Sequence, residues 1–264
     1  MIGAGARRII SLIRLFVITH RRTVLVTAGT VYAILLALFL LGAITGMSPQ
    51  SPDYHRAYFP PTFLLVGFIT ISMSFAGMHR ADRSYIYLTL PASHLEKLAE
   101  KLILSMIVYP LTAAASYFVF SLLLTGVSRL VFDAPFGLFD PRQIDAAQVL
   151  RIYVVVGSVF LFGAAYFRSR HFLKTVLSVA ALFSLLFFVG AATGLASLAP
   201  LVRDLQSGFA GDAGAVSAQL QELGLTAARV VRIARIGAVW VLPPVLWLLT
   251  WLRLTEAEVS DAVR

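Results

Sequence analysis

The sequence contains no cysteine and few charged residues. The absence of cysteine excludes disulfides, thiolate nucleophiles, Cys-type zinc sites and iron–sulfur clusters. Charged residues make up 13% of the 264 residues, against roughly 25% in a soluble globular domain. The 13 acidic residues are outnumbered by 22 Lys and Arg, which leaves a net charge of +9. A soluble enzyme, a disordered chain and a nucleic-acid-binding domain fit this composition poorly, so we expect no nucleic-acid partner.

The sequence also lacks the motifs of several kinds of catalytic site. It has no His-Glu-x-x-His metal motif, no G-x-S-x-G serine elbow and no G-x-x-x-x-G-K-[ST] phosphate-binding loop. Every Asp and Glu falls outside the long apolar stretches, so no acidic residue is expected inside a membrane to carry protons. We therefore expect no catalytic residue, no metal ligand and no cofactor in this chain, and no ATP hydrolysis by it.

Long apolar stretches are the main feature that is present. The chain is 59% hydrophobic and its mean hydropathy is +0.84. A helix needs about 20 apolar residues to cross the roughly 30 Å of a bilayer core, and the sequence shows no strand alternation of the kind a membrane barrel requires. We predict a single domain over residues 1–264, an all-α integral membrane protein with a six-helix transmembrane bundle. The predicted spans are 23–45, 59–78, 102–125, 149–167, 175–199 and 236–252.

Two further segments are predicted to be helical outside the spans. Residues 1–22 combine apolar residues at helical spacing with several arginines, which predicts an N-terminal interfacial helix, the alternative being a plain basic flank. Residues 200–235 alternate apolar periodicity with glycines and predict short outer amphipathic helices between spans five and six. Pro110 and the pair Pro243-Pro244 are expected to kink the third and sixth spans.

The Lys and Arg residues set the expected orientation. Placing the N-terminus in the cytoplasm puts most of the 22 Lys and Arg on the cytoplasmic side, so both termini are predicted to be cytoplasmic. Three arginines before the sixth span, Arg229, Arg232 and Arg235, run against this bias, and inversion of the C-terminal half is the alternative. At an outer face they are expected to contact an anionic lipid headgroup or a cargo, or else to pair with Asp204 and Glu222.

The segment between the second and third predicted spans has the most specific pattern. Residues 78–102 read MHRADRSYIYLTLPASHLEKLAEKL. Ser93 and Glu96 have the spacing of a capping box, and Leu95 and Leu98 follow on one predicted helix face. The pattern predicts a helix that begins at about Ser93 and continues into the third span, although an ordinary capped loop would have the same spacing.

The run LTLPASHLEKL, preceded by the polar Arg80-Ala81-Asp82-Arg83, resembles a loop of a known transporter family. It is similar to the cytoplasmic loop of membrane subunits of exporter-type ABC transporters, the ABC type-2 permease family, in members where TLPAS-x-x-EK precedes the third span. The resemblance implies that residues 79–101 form a coupling loop and helix that docks on a separate ATPase subunit. The contact residues it implies are Thr89, Leu90, Pro91, Ala92, Ser93, His94, Glu96 and Lys97.

The resemblance also implies a function and partners. The chain would be the permease subunit of an ATP-driven exporter in the bacterial cytoplasmic (inner) membrane, paired with an identical or related second permease and with ATPase subunits that hold ATP and Mg. The family places the permease contact near spans one and five, where small residues allow close approach, among them Gly29, Ala33, Gly190 and Gly194. Membrane lipids are further expected partners.

An apolar path would suit a lipid-like or amphipathic cargo. The side chains expected to line it are Phe68, Phe75, Tyr109, Tyr117, Phe118 and Phe183, with hydroxyls from Thr70, Ser72 and Ser116. The alternative function is a non-transporting membrane scaffold or assembly subunit of a larger complex. A lipid-modifying membrane enzyme is a third reading, and it fits less well because no acid, base and nucleophile fall at one membrane depth.

Overall fold

The chain folds into long helices joined by short connections. The computed structural model describes residues 4–45, 53–76, 78, 93–133, 136–167, 169–206 and 213–262, and the described residues contain no strand. The helices are α1 (Ala4–Ile44), α2 (Tyr54–Ser72), α3 (His94–Ile103), α4 (Tyr109–Phe132), α5 (Ala146–Tyr166), α6 (His171–Gln206), α7 (Ala213–Trp240) and α8 (Leu242–Ala262). A π-helical turn, Leu104–Val108, joins α3 to α4. The all-α prediction is confirmed for this part of the chain.

The helices run back and forth between two ends of one bundle. Two hydrogen bonds show that α2 and α4 are antiparallel: the Tyr109 hydroxyl donates to the Phe63 carbonyl oxygen at 2.7 Å, and the Tyr117 hydroxyl lies 3.2 Å from Nδ1 of His55, earlier on α2. We call the end where α1, α3 and α6 begin and α5 and α8 end the basal end. The opposite, distal end carries the start of α2 and residues 136–145.

Helix α5 lies at the centre of the bundle, in contact with α2, α6 and α8. Its Tyr153, Leu161, Ala164 and Ala165 are fully buried. Aromatic rings fill much of the interior, and Phe68 stacks on Phe160 with ring centroids 5.1 Å apart. Other buried rings are Phe39, Tyr54, Phe59, Phe63, Tyr117, Phe120, Phe136 and Phe139. The interior is therefore a packed aromatic core.

Within the described residues, four helices are long and apolar enough to cross a membrane: Arg7–Ile44, His94–Phe132, Ala146–Tyr166 and His171–Thr193. A fifth candidate is the bent pair Gly224–Trp240 and Leu242–Glu256. These helices indicate a membrane protein. The predicted count of six is not reached because α2 falls short: it ends at Ser72, and its first turn carries Tyr54, His55 and Arg56, which lower its hydropathy.

The N-terminal helix and the first predicted span form one element. Helix α1 continues without a break over 41 residues, about 60 Å at 1.5 Å per residue. The segment predicted as a separate helix over residues 1–22 is thus, from Ala4 onward, the first half of α1. That half packs against α3 at the basal end instead of ending at a turn before the span.

The outer segment 200–235 also differs from its prediction of two short helices. Its first part belongs to α6, which extends to Gln206, and its last part belongs to α7, which begins at Ala213. Residues 207–212 lie outside the described residues. Glycines at 214 and 224 do not end α7, because an isolated glycine weakens a helix by only about 1 kcal/mol.

The two expected proline effects take different forms. At the sixth span, α7 and α8 meet at a 41° bend at Val241, just before Pro243-Pro244. At the third span, the chain forms the π turn instead of a sharp break, and the Tyr109 N–H donates to the Leu104 carbonyl oxygen, five residues back. In this register the next donor would be Pro110, which has no N–H to offer the Ser105 carbonyl. The Tyr153 hydroxyl supplies the missing donor at 2.7 Å.

A buried histidine ties the distal end together. His55 Nε2 lies 2.8 Å from the Gly137 carbonyl oxygen, and Nδ1 lies 3.2 Å from the Tyr117 hydroxyl. Because a carbonyl oxygen only accepts, Nε2 carries the proton, and in the neutral ring Nδ1 accepts from Tyr117. Burial lowers the pKa of His55, and the bond to Gly137 opposes that shift. Phe136 and Phe139 pack around this ring, so the loop 136–140 is anchored to α2 and α4.

Candidate functional site

The capping box predicted at the basal end is present in full. Ser93 has extended backbone dihedral angles and is the N-cap of α3. Its hydroxyl accepts from the Glu96 N–H at 3.2 Å, and the Ser93 N–H donates to Glu96 Oε2 at 2.9 Å. The side chain of each residue therefore accepts a hydrogen bond from the backbone N–H of the other, and this reciprocal pair fixes where the helix begins. The prediction of a helix start at about Ser93 is confirmed.

The helix that begins at Ser93 is continuous with the bundle. The segment His94–Phe132 forms one candidate span of 39 residues, with the π turn as its only departure from α geometry within that segment. At 1.5 Å per residue it is close to 60 Å long, twice the thickness of a bilayer core. A displacement of its first turn is therefore applied directly to a helix that reaches the distal end.

Helix α1 lies beside the start of α3. Arg8 Nη1 is 3.7 Å from Glu96 Oε2, and the Lys101 Nζ lies 5.2 Å from the centroid of the Phe16 ring. Glu96 is only 15% exposed, so its carboxylate is held between its own N-cap and Arg8. Glu96 thus fixes the geometry of the helix start, and it offers little surface to a partner.

Charged side chains are buried one turn further along α3. Lys97 is 3% exposed and Glu100 is 5% exposed. The Lys101 Nζ lies 3.0 Å from Glu100 Oε2, and both side chains are mostly covered. Glu100 lies outside the span predicted over 102–125, as expected, yet it is inside the protein. Lys97, expected as a contact for the ATPase, turns into the bundle and does not present its charge at the surface.

Sequence reasoning missed the exposure of Leu95, the most exposed apolar side chain in the described part of residues 79–101. Leu95 and Leu98 were expected on one face of the helix, but Leu98 is buried and Leu95 is 62% exposed. Three residues along an α-helix correspond to a rotation of about 300°, which leaves the two side chains roughly 60° apart. That difference is enough to place one inside the bundle and the other outside. The spacing of the apolar residues after Ser93 does not reveal which face of the helix is turned toward the bundle. The exposure of Leu95 could therefore be predicted only if that face were known.

The other expected contact residues divide into two groups. His94, the first residue of α3, is partly exposed beside Leu95. Thr89, Leu90, Pro91 and Ala92 lie outside the described residues. The described part of the predicted coupling segment is therefore the first two turns of α3.

The residues expected to line an apolar path do not share a surface. Phe75 and Tyr117 are buried in the aromatic core, whereas Phe118 is 43% and Phe183 is 67% exposed. The hydroxyls of Thr70 and Ser72 donate to carbonyl oxygens of their own helix. Ser116 likewise donates to the Ala113 carbonyl oxygen of its own helix, and its Oγ also lies 2.6 Å from the Tyr32 hydroxyl. Packing against α2 and α5 decides which of these rings turn inward. The path was expected at the contact between two permease subunits, and it stays a prediction.

The three outer arginines lie on α7. Arg229 and Arg232 are exposed, and the side chain of Arg235 lies outside the part that the structure describes. Exposed apolar neighbours, Val230, Val231 and Ile233, separate them. Arg229 and Arg232 are thus on a helix surface that is open to an outside contact, and the prediction of a headgroup or cargo contact stays a prediction.

Comparisons with known proteins did not identify a relative of this chain. No protein-family model matches this chain, and neither a curated protein nor a solved structure matches it. Among the described residues, no group of three or more His, Asp or Glu is arranged to hold a metal ion. The resemblance at residues 88–98 to a transporter family therefore rests on the sequence pattern alone.

The capping box leads to a first prediction. Replacing Ser93 by Ala leaves the Glu96 N–H without its side-chain acceptor, which costs about 0.5–2 kcal/mol of helix stability. We expect amide hydrogen exchange over His94–Lys97 to accelerate about 2- to 30-fold, measured by mass spectrometry in detergent. The matched control is Ser93→Asp, which keeps an N-cap acceptor and should retain protection. Equal protection in the Ala variant would show that tertiary contacts, and not the cap, hold the first turn.

Proposed function

We propose that this chain is the transmembrane subunit of an ATP-driven ABC exporter whose separate ATPase subunit docks at the start of α3. The ATPase subunit holds ATP and Mg, and the chain described here has no part in the hydrolysis. ATP-driven closure of the ATPases would displace the docking segment and change which side of the membrane the transport path faces. The resemblance of residues 88–98 to the coupling loop of ABC type-2 permeases is the reason for proposing this family.

The observation that carries this proposal is the continuous helix from the capping box to the distal end. A docking segment transmits force only if it is mechanically joined to the spans. Ser93 and Glu96 fix the helix start, and Arg8 of α1 is joined to the same carboxylate. One displacement at the basal end would therefore act on two long helices together.

The proposal includes six crossings of the membrane. Helix α2 would be the remaining crossing, since it runs beside the central α5 from the distal to the basal end. Its apolar half, from Phe59 onward, would lie in the lipid core, and its polar first turn would lie at the outer surface. With the basal end in the cytoplasm, both termini face inward and most of the Lys and Arg obey the positive-inside rule. We place the chain in a bacterial inner membrane.

A second permease subunit, identical or related, is part of the proposal. Of the four single helices long and apolar enough to span a membrane in the described part of the chain, α1 and α6 are the least covered, with apolar windows 11% and 6% buried. A Cβ atom added at Gly29 or Gly190 would meet no other atom within 4 Å. Small residues on uncovered apolar helices allow a second helix to approach closely. The transport path would run between the two subunits, and a lipid-like cargo suits its apolar walls.

The docking role of α3 leads to a second prediction. Leu95→Asp places a charge at an exposed apolar residue of the first turn and disturbs no core contact. We expect affinity purification from native membranes in mild detergent to recover an ABC ATPase with the unchanged chain. The variant should recover about 90% less ATPase, or lose still more. This loss is expected if Leu95 becomes buried against the ATPase and contributes about 1.4 kcal/mol or more to binding.

The matched control is Leu138→Asp, the same change at a residue 46% exposed in the distal loop. It should recover as much ATPase as the unchanged chain. Both variants should elute as folded protein in size-exclusion chromatography, since neither side chain belongs to the core. Recovery of the ATPase with Leu95→Asp would contradict docking at this helix, and absence of any ATPase from all samples would contradict the exporter.

The packed interior favours a second candidate, a non-transporting scaffold subunit of a larger membrane complex. Such a subunit needs apolar spans and a docking segment but no path, and two of the rings expected to line a path, Phe75 and Tyr117, are buried in the core instead. The same purification separates the two functions. Other membrane subunits recovered in place of an ATPase would identify the scaffold.

A further inference from the structure

A row of two cations and two aromatic rings lies at the basal end, where α5, α6 and α8 meet. The rings of Tyr166 and Phe167 stand edge to face with centroids 5.4 Å apart. The Arg253 guanidinium carbon lies 5.5 Å from the centroid of Tyr166, and the Lys174 Nζ lies 5.9 Å from that of Phe167. We call these four residues the basal cation row.

The α5 and α6 side of this row carries no negative charge. The sequence has no acidic residue between Asp145 and Asp204, and Arg170, exposed in the loop before α6, adds a further cation. Arg253 Nη1 donates to Glu256 Oε2 at 2.8 Å, but the two side chains are 35% and 64% exposed. An exposed pair of this kind contributes little, and a guanidinium has five N–H donors, so an incoming anion can share Arg253 with Glu256.

The position of the row indicates which anion it would meet. Helix α5 ends at Tyr166 and α6 begins at His171, and both are candidate membrane spans. Basic and aromatic side chains at the ends of spans lie at the level of lipid headgroups. Tyr166 is 52% exposed. The Lys174 Nζ donates a long hydrogen bond, 3.4 Å, to Ser169 Oγ. An anion at this depth is the phosphate of a membrane lipid.

We propose that the basal cation row binds the headgroup of an anionic phospholipid, with Lys174 and Arg253 as its cationic contacts. The rings would hold the two cations apart and oriented, because cations over aromatic faces are attracted at about 0.5–1 kcal/mol each in exposed positions. This site is separate from the docking helix α3 and from the outer arginines of α7. It requires only that the chain lies in a membrane, and it holds whether or not an ATPase docks.

The test uses the full-length chain in neutral detergent micelles. Phosphatidylglycerol is titrated into the micelles, and its binding is followed by the thermal unfolding midpoint and by lipid retained in native mass spectrometry. Two basic residues near a membrane surface favour an anionic lipid enough that Lys174→Gln/Arg253→Gln should weaken apparent binding about 30-fold. Because Arg253 also holds Glu256, the single change Lys174→Gln is measured as well, with about 5-fold weakening expected.

Two matched variants complete the test. Lys174→Arg/Arg253→Lys keeps both charges and should retain binding, and Arg129→Gln/Arg142→Gln removes the same charge from the distal end and should leave this binding unchanged. All variants should unfold at the midpoint of the unchanged chain in phosphatidylcholine. Unchanged phosphatidylglycerol binding in both Lys174→Gln variants would overturn the site. An equal shift from inorganic phosphate alone would overturn the assignment to a lipid.

Discussion

Truncation of Tyr153 to Ala is expected to destabilise the bundle by about 3–5 kcal/mol, since it removes a large, fully buried ring from the centre of the core. The ring packs against Phe63, Phe68 and Tyr109 at once. Its hydroxyl is also the donor for the Ser105 carbonyl, which Pro110 cannot serve. The loss should be measured as the free energy of unfolding in mixed detergent micelles.

A conservative change separates these two contributions. Tyr153→Phe keeps the ring and removes only the hydroxyl, and it should cost about 1–3 kcal/mol because a buried carbonyl loses its donor. Tyr166→Phe is the matched control: it removes the same hydroxyl from a ring that is 52% exposed, and its effect should stay within about 0.5 kcal/mol. If Tyr153→Phe is as mild as Tyr166→Phe, the hydroxyl does not support the π turn.

Gly67→Ala is expected to be the second most damaging change, although it adds a single methyl group. A Cβ atom at Gly67 would lie 2.6 Å from Cε2 of Tyr153 and 2.8 Å from Cε1 of Tyr109. Both rings are held by hydrogen bonds to backbone carbonyls, so neither can move aside cheaply. Overpacking of this kind costs about 1–3 kcal/mol. The measurement is again the free energy of unfolding.

The control for this change is Gly126→Ala in α4. A Cβ atom there meets nothing within 4 Å, so the substitution changes helix propensity without a clash. Alanine is favoured over glycine by about 1 kcal/mol inside a helix, and Gly126→Ala should be neutral or slightly stabilising. Equal destabilisation by both substitutions would mean that α2 does not approach α5 as closely as the structure has it.

The features predicted well from the sequence are those decided by local interactions. The capping box depends on two residues three positions apart, and the long apolar helices depend on composition within one window. The number of crossings depends on more than composition, because the first turn of α2 is polar and still packs inside the bundle through Tyr54 and His55. The extent of α6 and α7 was underestimated because glycines were taken to break helices.

The directions in which side chains face could not be predicted without the packing. Lys97, Leu98 and Leu95 occupy neighbouring positions of one short helix, and only contact with α1 and α8 decides that the first two turn inward. The same holds for the aromatic residues expected along a path, which were chosen by type and predicted depth. Which of them are buried, as Phe75 and Tyr117 are, and which are exposed, as Phe118 and Phe183 are, depends on packing between helices.

The π turn has a consequence for how α3 is presented to the outside. A π turn contains one more residue than an α turn, so the side chains before it are rotated by about 100° relative to those after it, compared with an uninterrupted α-helix. A helical wheel drawn straight through His94–Phe132 therefore misplaces one half of the segment. The direction of Leu95 relative to the side chains of α4 therefore depends on the added residue at Leu104–Val108, a turn whose Ser105 carbonyl accepts from the Tyr153 hydroxyl.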